Sequence, residues 1–241
     1  MIPKIIHYCW LGSGKMPGLA IKCMESWRKH LPDYELRLWN RAAFDIDSVP
    51  WVKEACEAEK FPFAADYVRL FALFRDGGIY MDSDVEVIKN LDDFLKYPAF
   101  CGFESETSIS GGILASEQGG AWAKEQLDYY DNRRFRQADG SLDLTTNVQI
   151  FSTSMAANGL KLNNTYQIYK YGMHVFPRDY FSPLTYTGKL NVTENTHCIH
   201  HFAGSWESPK VKAKMYVLRK LLGPELTERL IRLKRKLPFP P

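Results

Sequence analysis

The chain has 241 residues, 45% of them hydrophobic and 24% charged, with a formal net charge of +3. That is enough chain to bury a full core as one domain, and the balance excludes a disordered or collagen-like protein. No run of 18 apolar residues occurs, so no helix is expected to span a bilayer. Residues 210–241 hold ten Lys/Arg against two Glu, which leaves residues 1–209 net acidic; the basic surplus belongs to the tail, and no nucleic-acid partner is expected. The five cysteines (Cys9, Cys23, Cys56, Cys101, Cys198) are scattered and form no CxxC pair. This reads as reduced thiols in the cytoplasm. The opening residues pass straight into strand-like sequence without the layout of a signal peptide.

Pro3 to Trp10 reads as a buried first strand. The loop Gly12-Ser13-Gly14-Lys15 fails as a phosphate loop, because Cys9 and Met16 stand where Gly and Ser/Thr are needed. Residues 18–30 read as a helix with Leu19, Cys23, Met24 and Trp27 on one side, and Tyr34 to Trp39 alternates as a half-buried strand. A strand, a helix and a second strand predict a βαβ unit with a parallel sheet. Residues 51–60 predict a short helix, and Pro62 opens another over 64–74.

This second helix is apolar almost all round, so it is expected to be buried. Its interior charges, Asp66 and Arg69, share a face at i,i+3. A surface ion pair is the plain reading; the apolar setting favours a pair turned toward a ligand, since buried charge needs a partner.

Gly77-Gly78 ends the helix, Ile79-Tyr80-Met81 reads as a short apolar strand, and Asp82-Ser83-Asp84 follows. With 14 Asp in the chain, about one Asp-x-Asp is expected by chance, and Asp45-Ile46-Asp47 is a decoy that reads as a loop or helix cap. Context separates the two. In an extended chain Asp82 and Asp84 would face one object together, which suits Mg²⁺ or Mn²⁺, and the carboxyl end of a strand in an open sheet is where ligands bind.

Val85 to Ile88 continues extended. Phe100 to Glu104 and Ile113 to Ala115 read as strands with Ser110-Gly111-Gly112 between them, residues 120–136 as a polar helix, 137–144 as a loop, and Thr145 to Phe151 as another element. Short strands and loops are expected over 160–187. In His197-Cys198-Ile199-His200-His201, zinc lacks a second ligand pair. Core histidines, or a third ligand for the metal of Asp82 and Asp84, remain open. Beyond Gly223-Pro224, leucines 226, 230, 233 and 237 amid basic residues predict a basic amphipathic helix, either lying on an anionic membrane or packed on the body.

These stretches resemble the small DXD-containing sugar transferases, the group of bacterial capsule and lipopolysaccharide glycosyltransferases and the yeast α-1,6-mannosyltransferase type, distantly similar to clostridial glucosylating toxins. The resemblance rests on Ile2 to Gly12, Ala65-Asp66-Tyr67-Val68-Arg69, Gly77 to Asp84, and His200 to Trp206, in family order. It implies an α/β fold of the GT-A type, with a mostly parallel Rossmann-like sheet flanked by helices over residues 1–209 and the helical tail over 210–241. It further implies a nucleotide-sugar donor, a divalent metal (Mn²⁺ or Mg²⁺) and retention of anomeric configuration.

Carried over by position, Trp10 would stack on the nucleobase, with His7, Tyr8 and Gly78 beside the donor. Asp66 and Arg69 would hold sugar hydroxyls, Asp82 would touch ribose, sugar and metal-bound water, and Asp84 would bind the metal. His201 aligns with the family's metal histidine, with His200 adjacent. Ser205 and Trp206 would close over the diphosphate. Asn147 and Gln149 are the candidates beside the reacting carbon, or else part of a polar strand or loop. The expected activity is retaining transfer of a hexose, galactose or glucose, from a UDP-sugar to a lipid-linked or polysaccharide precursor. The tail would hold the enzyme at the inner face of the cytoplasmic membrane. A nucleotide-sugar hydrolase or nucleotidyl-transfer enzyme, and a non-catalytic carbohydrate-binding membrane adaptor, are the competing readings.

Overall fold

A computed structural model describes residues 1–204 together with positions 213, 217, 220–223, 226 and 227. Ile5–Cys9 (β1), Gly18–His30 (α1) and Glu35–Trp39 (β2) open the chain, and β1 and β2 pair in parallel from Ile5↔Glu35 to Cys9↔Trp39. This is the expected βαβ unit. Ala20, Cys23, Met24 and Trp27 form the buried stripe of α1, recurring at helical spacing.

Pro50–Glu57 (α2) and Phe61–Asp76 (α3) follow, with Pro62 in the first turn of α3, where its missing N–H costs no hydrogen bond. The decoy Asp45 caps a short 3₁₀ turn by accepting from the Asp47 N–H. α3 buries Val68, Leu70, Ala72 and Leu73, and with them Asp66 and Arg69. It stops at Gly77 (φ +66°), and Gly78 (φ +114°) begins Gly78–Met81 (β3), which pairs in parallel with β1. A Cβ on Gly78 would stand 2.7 Å from the Ile5 carbonyl oxygen, so this glycine lets β3 lie against β1.

The chain does not continue extended through Asp82 and Asp84. It turns, closed by the Val85 N–H on the Asp82 carbonyl at 3.0 Å. Val85–Val87 (β4) then leaves the main sheet and pairs antiparallel with Cys198–His200 (β9), Val85 opposite His200. Ala99–Phe103 (β5) and Ile109–Ser116 (β6) form a hairpin; Ser110-Gly111-Gly112 lies inside β6, and the turn is at 104–108, where the Glu104 N–H donates to Ser108 at 2.9 Å. The helix expected over 120–136 ends early, as Ala121–Asp128 (α4): from Tyr130 the N–H groups bond three residues back, to Leu127 and Asp128, and the chain passes into turns. Asn147–Ala157 (α5) is a helix, and Gln167–Tyr169 (β7), Met173–Phe176 (β8) and Arg178–Phe181 (α6) are the short elements of the next stretch.

The main sheet has the order β2-β1-β3-β6-β5-β8-β7. Its pairings make β1, β2, β3, β5 and β8 run one way and β6 and β7 the other. Apolar layers cover both faces. Trp39, Val68, Leu73, Tyr80 and Leu114 pack in one layer, and Ile6, Trp27, Met81, Phe100 and Ile113 in the other. The C-terminal ends of β1, β3 and β5 share one side of the sheet. No helix among the described residues is long and apolar enough to cross a membrane. The basic tail, apart from the few positions named, lies outside the described residues.

Candidate active site

At the end of β3 the acidic turn is fixed from several directions. The Asp82 N–H donates to the Gly112 carbonyl at 2.9 Å, and its Oδ1 accepts from the Tyr80 hydroxyl at 2.9 Å. Asp84 Oδ2 accepts from the Ala203 N–H at 2.7 Å, and its carbonyl accepts from the His201 N–H at 3.0 Å. The β4–β9 pairing brings His200 against the same turn. Its Nε2 lies 3.4 Å from Asp84 Oδ1 and 3.9 Å from Asp82 Oδ2. Donor atoms of Asp82, Asp84 and His200 all fall within 4.8 Å of one another. Two hard carboxylates and an imidazole fit a divalent cation such as Mn²⁺.

The electrostatics agree. Against its burial, the His200 imidazolium and the Ala203 N–H hold the Asp84 carboxyl well below the usual carboxylate range. Burial opposes charge on His200 as well, yet Asp84, then Asp82 and Glu104, push it up to about 9. The imidazole must shed that proton to serve as a ligand.

Asp66 and Arg69 are not a surface pair: they are 7% and 6% exposed. Arg69 Nη2 is shared between Asp66 Oδ1 at 3.0 Å and Asp82 Oδ1 at 3.3 Å, and Nη1 donates to the Gly111 carbonyl. The guanidinium also lies over the Tyr80 ring, 4.7 Å from its centroid. Thus α3 is tied to the acidic turn by one cation. Burial pushes the Asp66 carboxyl up to about 6, with Arg69 pulling the other way.

Several expected site residues have structural roles instead. His7 is fully buried: its Nδ1 accepts from the Trp39 indole N–H at 3.0 Å and its Nε2–H donates to the Gly77 carbonyl at 2.7 Å. Tyr8 points to the opposite face of β1 and packs edge-on against Trp27. Gly78 serves strand packing. His201 turns away from the cluster, with its Nε2 2.8 Å from Glu86 Oε2, so His200 holds the third position. Asn147 is buried; its N–H donates to Asp66 Oδ2 at 3.2 Å, its Nδ2 donates to the Asp66 carbonyl at 2.9 Å, and its Oδ1 accepts from Tyr130. These bonds turn it toward Asp66 and Tyr130, and it sets Asp66. Gln149 Oε1 closes the capping box of α5 with Thr146. Trp10 stands partly exposed at the end of β1, its indole N–H on the Gly14 carbonyl at 2.8 Å. Ser205 and Trp206 lie outside the described residues.

Three residues of the site escaped sequence reasoning. A Cβ on Gly111 would come within 2.8 Å of Arg69 Nη1, and one on Gly112 within 2.7 Å of His200 Cε1. Glycines inside a buried strand are the readable sign of such close approach. Glu104, one residue past β5, is pushed up to about 7 by burial, with the charges of His200 and Arg178 pulling the other way and that of Asp82 adding to it. Its sign was an acid at a strand's carboxyl end.

Residues 17–101 match the family model described as the glycosyltransferase sugar-binding region containing DXD motif. The matched segment is similar to that DXD region. It includes Asp66, Arg69, Asp82 and Asp84, while His200 lies outside it. Inositol phosphoceramide mannosyltransferase 3 of Schizosaccharomyces pombe is 34% identical over 124 residues, which are 49% of this chain and 34% of that protein. A mannosyl phosphorylinositol ceramide synthase of Saccharomyces cerevisiae is 32% identical over 120 residues, 48% of this chain and 32% of that one. The chain therefore spans about a third of the length of these relatives. Among solved structures, the PaToxG glycosyltransferase aligns with a TM-score of 0.48 at 16% identity over 67% of this chain and 72% of that one. The galactosyltransferase LgtC in complex with donor and acceptor sugar analogs aligns with a TM-score of 0.44 at 12% identity over 91% of this chain and 95% of that one.

Proposed function

We propose that the protein is a metal-dependent, retaining hexosyltransferase that takes its sugar from a nucleotide sugar, UDP-linked, and gives it to a lipid-linked or polysaccharide precursor. The observation that carries this reading is the cluster of Asp82, Asp84 and His200 at the end of β3, within 4.8 Å of one another and bridged to α3 by Arg69. The DXD region supports the donor class. The relatives' names, which join mannose to inositol phosphoceramide, support a hexose and a lipid acceptor.

Asp82, Asp84 and His200 would hold Mn²⁺, whose charge, when bound, stabilises a diphosphate leaving group. The chain's own residues do the rest. Arg69 and Asp66 offer a fixed donor and acceptor for sugar hydroxyls, prepaid in geometry by Asn147 and Gly111. Trp10 offers a flat apolar face for a base. The acceptor hydroxyl attacks from the side the diphosphate leaves, and that phosphate takes the proton. The basic tail would hold the enzyme at the inner face of the membrane, beside its acceptor.

A donor panel of UDP-glucose, UDP-galactose and GDP-mannose, read by thermal shift with and without Mn²⁺, tests the reading. One donor should raise the melting temperature only when Mn²⁺ is present, and Asp84→Asn should abolish the shift. If no nucleotide sugar shifts the protein under any condition, the reading fails. An inverted linkage in an anomer-resolved product assay would overturn the same-face step alone.

A further inference from the structure

The turn that follows β9 wraps around a single residue. Strand pairing with β4 reaches Val85↔His200, and the His201 N–H then donates to the Asp84 carbonyl at 3.0 Å. Phe202 takes a left-handed backbone (φ +50°), a conformation that a bulky side chain keeps only where its neighbours fix it. That reversal swings the Ala203 N–H back onto Asp84 Oδ2, at 2.7 Å. One three-residue turn thus grips Asp84 twice, at its carbonyl and at its carboxylate. The other carboxylate oxygen, Oδ1, lies 3.4 Å from His200 Nε2.

Two side chains hold this turn in place. The Phe202 ring packs on His200 with centroids 4.2 Å apart. On the other side, His201 Nε2–H donates to Glu86 Oε2 at 2.8 Å. Glu86 stands in β4, opposite Ile199 and two residues after Asp84. One short segment therefore carries both the carboxylate that is gripped and the carboxylate that pins the gripping turn. Lys22 of α1 comes only within 3.7 Å of the second Glu86 oxygen, and its side chain is 64% exposed. A pair of that kind contributes little. Glu86 is tied to the site through His201.

We propose that Glu86 is a positioning residue for Asp84: by holding the His201 ring it keeps the 201–203 turn closed, and with it the Ala203 N–H on Asp84 Oδ2, so that the carboxylate is aimed before a cation arrives. The inference rests on the metal reading given under the proposed function and deepens it. A ligating carboxylate is itself oriented by hydrogen bonds from groups that do not touch the metal, and loss of such a partner weakens binding by about 10–100-fold.

The test titrates Mn²⁺ into the full-length chain by calorimetry and follows backbone amides by ¹H–¹⁵N correlation in the metal-free protein. The Ala203 amide proton, donating to a carboxylate over a short distance, should resonate downfield in the parent. Glu86→Leu should move it upfield and weaken Mn²⁺ by about tenfold or more. The amides of Val87 and Cys198, at the far end of the β4–β9 pairing, should stay in place. Glu86→Gln, whose amide oxygen still accepts from His201, should restore most of both readouts. Lys22→Met should leave Mn²⁺ affinity within about twofold. In a His201→Ala background, Glu86→Leu should add nothing. Metal-free melting curves confirm that each variant folds; if Glu86→Leu does not fold, His201→Ala and Glu86→Gln carry the same comparison. The inference is overturned, with the metal site left standing, by an unchanged Ala203 signal or Mn²⁺ affinity in folded Glu86→Leu, by an equal further loss in the His201→Ala background, or by displaced Val87 and Cys198 amides. A parent chain that does not bind Mn²⁺ overturns the metal reading itself, and the Ala203 signal still tests the turn.

Discussion

Gly112 and His200 are packed so closely that a methyl group on the glycine would come within 2.7 Å of the imidazole Cε1. Real Cβ contacts are not that short, so Gly112→Ala must push the ring off the acidic turn. We expect Gly112→Ala to weaken Mn²⁺ binding by about tenfold or more, at an overpacking cost of about 1–3 kcal/mol. Calorimetry beside urea unfolding separates the two effects.

Arg69 pairs with two carboxylates and donates to a carbonyl from inside the protein. Removing it leaves Asp66 and Asp82 unpaired and close together. Arg69→Met should cost about 3–5 kcal/mol in denaturant unfolding. Arg69→Lys keeps the charge, but a point ammonium cannot serve three acceptors as the planar fork does. It should recover much of the stability and still lose transfer rate by roughly tenfold, the worth of one charged hydrogen bond.

His7 is held neutral. Burial keeps its pKa below the ordinary histidine value of 6.5, with the Gly77 hydrogen bond opposing only in part. Below pH 6.5 the unfolded chain takes up a proton that the folded chain resists, so stability is full above that pH and falls as pH drops toward the lowered folded value. The slope contributed is at most about 1.4 kcal/mol per pH unit. Urea unfolding between pH 7.5 and 5 should show this slope. In His7→Asn, less stable at neutral pH, the slope should flatten; an unchanged slope would remove His7 as its source.

Gln149 and Thr146 begin α5 with a reciprocal pair of hydrogen bonds. Thr146→Ala should cost about 1 kcal/mol of stability. Gln149→Leu should cost less than that and leave the turnover number within roughly twofold, since the side chain serves the helix and not the sugar. A hundredfold loss of turnover in a folded Gln149→Leu would return this residue to the reaction centre.

Asp82 and Asp84 were legible because Gly77-Gly78 and three apolar residues mark a helix end and a buried strand ahead of them. The reason they converge was not legible. The pleat of an extended chain was the expectation, whereas a turn closed by Val85 does it, with Tyr80, Gly112 and Ala203 aiming the carboxylates. The choice between His200 and His201 depends on register with β4, a partner 115 positions away at the His201–Glu86 contact, and no local pattern encodes it. Asn147 and Gln149 were misread for a local reason. They were read as beside the reacting carbon or in a polar strand or loop, while the Thr-x-x-Gln spacing that starts a helix was present at 146–149. His7 and Tyr8 share a strand with Trp10, but period-two alternation and the depth of β1 bury them on opposite faces. Burial of Glu104 depends on β6 and β8 closing beside β5, which only the assembled sheet reveals.

The pairing of β9 with β4 also has a bearing on biogenesis. During synthesis the acidic turn emerges early and can be tied to α3 by Arg69 while most of the remaining chain is still unmade. The imidazole arrives only with residue 200, nearly the last of the described chain. A nascent polypeptide could therefore complete its seven-stranded scaffold while the acidic turn still lacks the imidazole that stands against it.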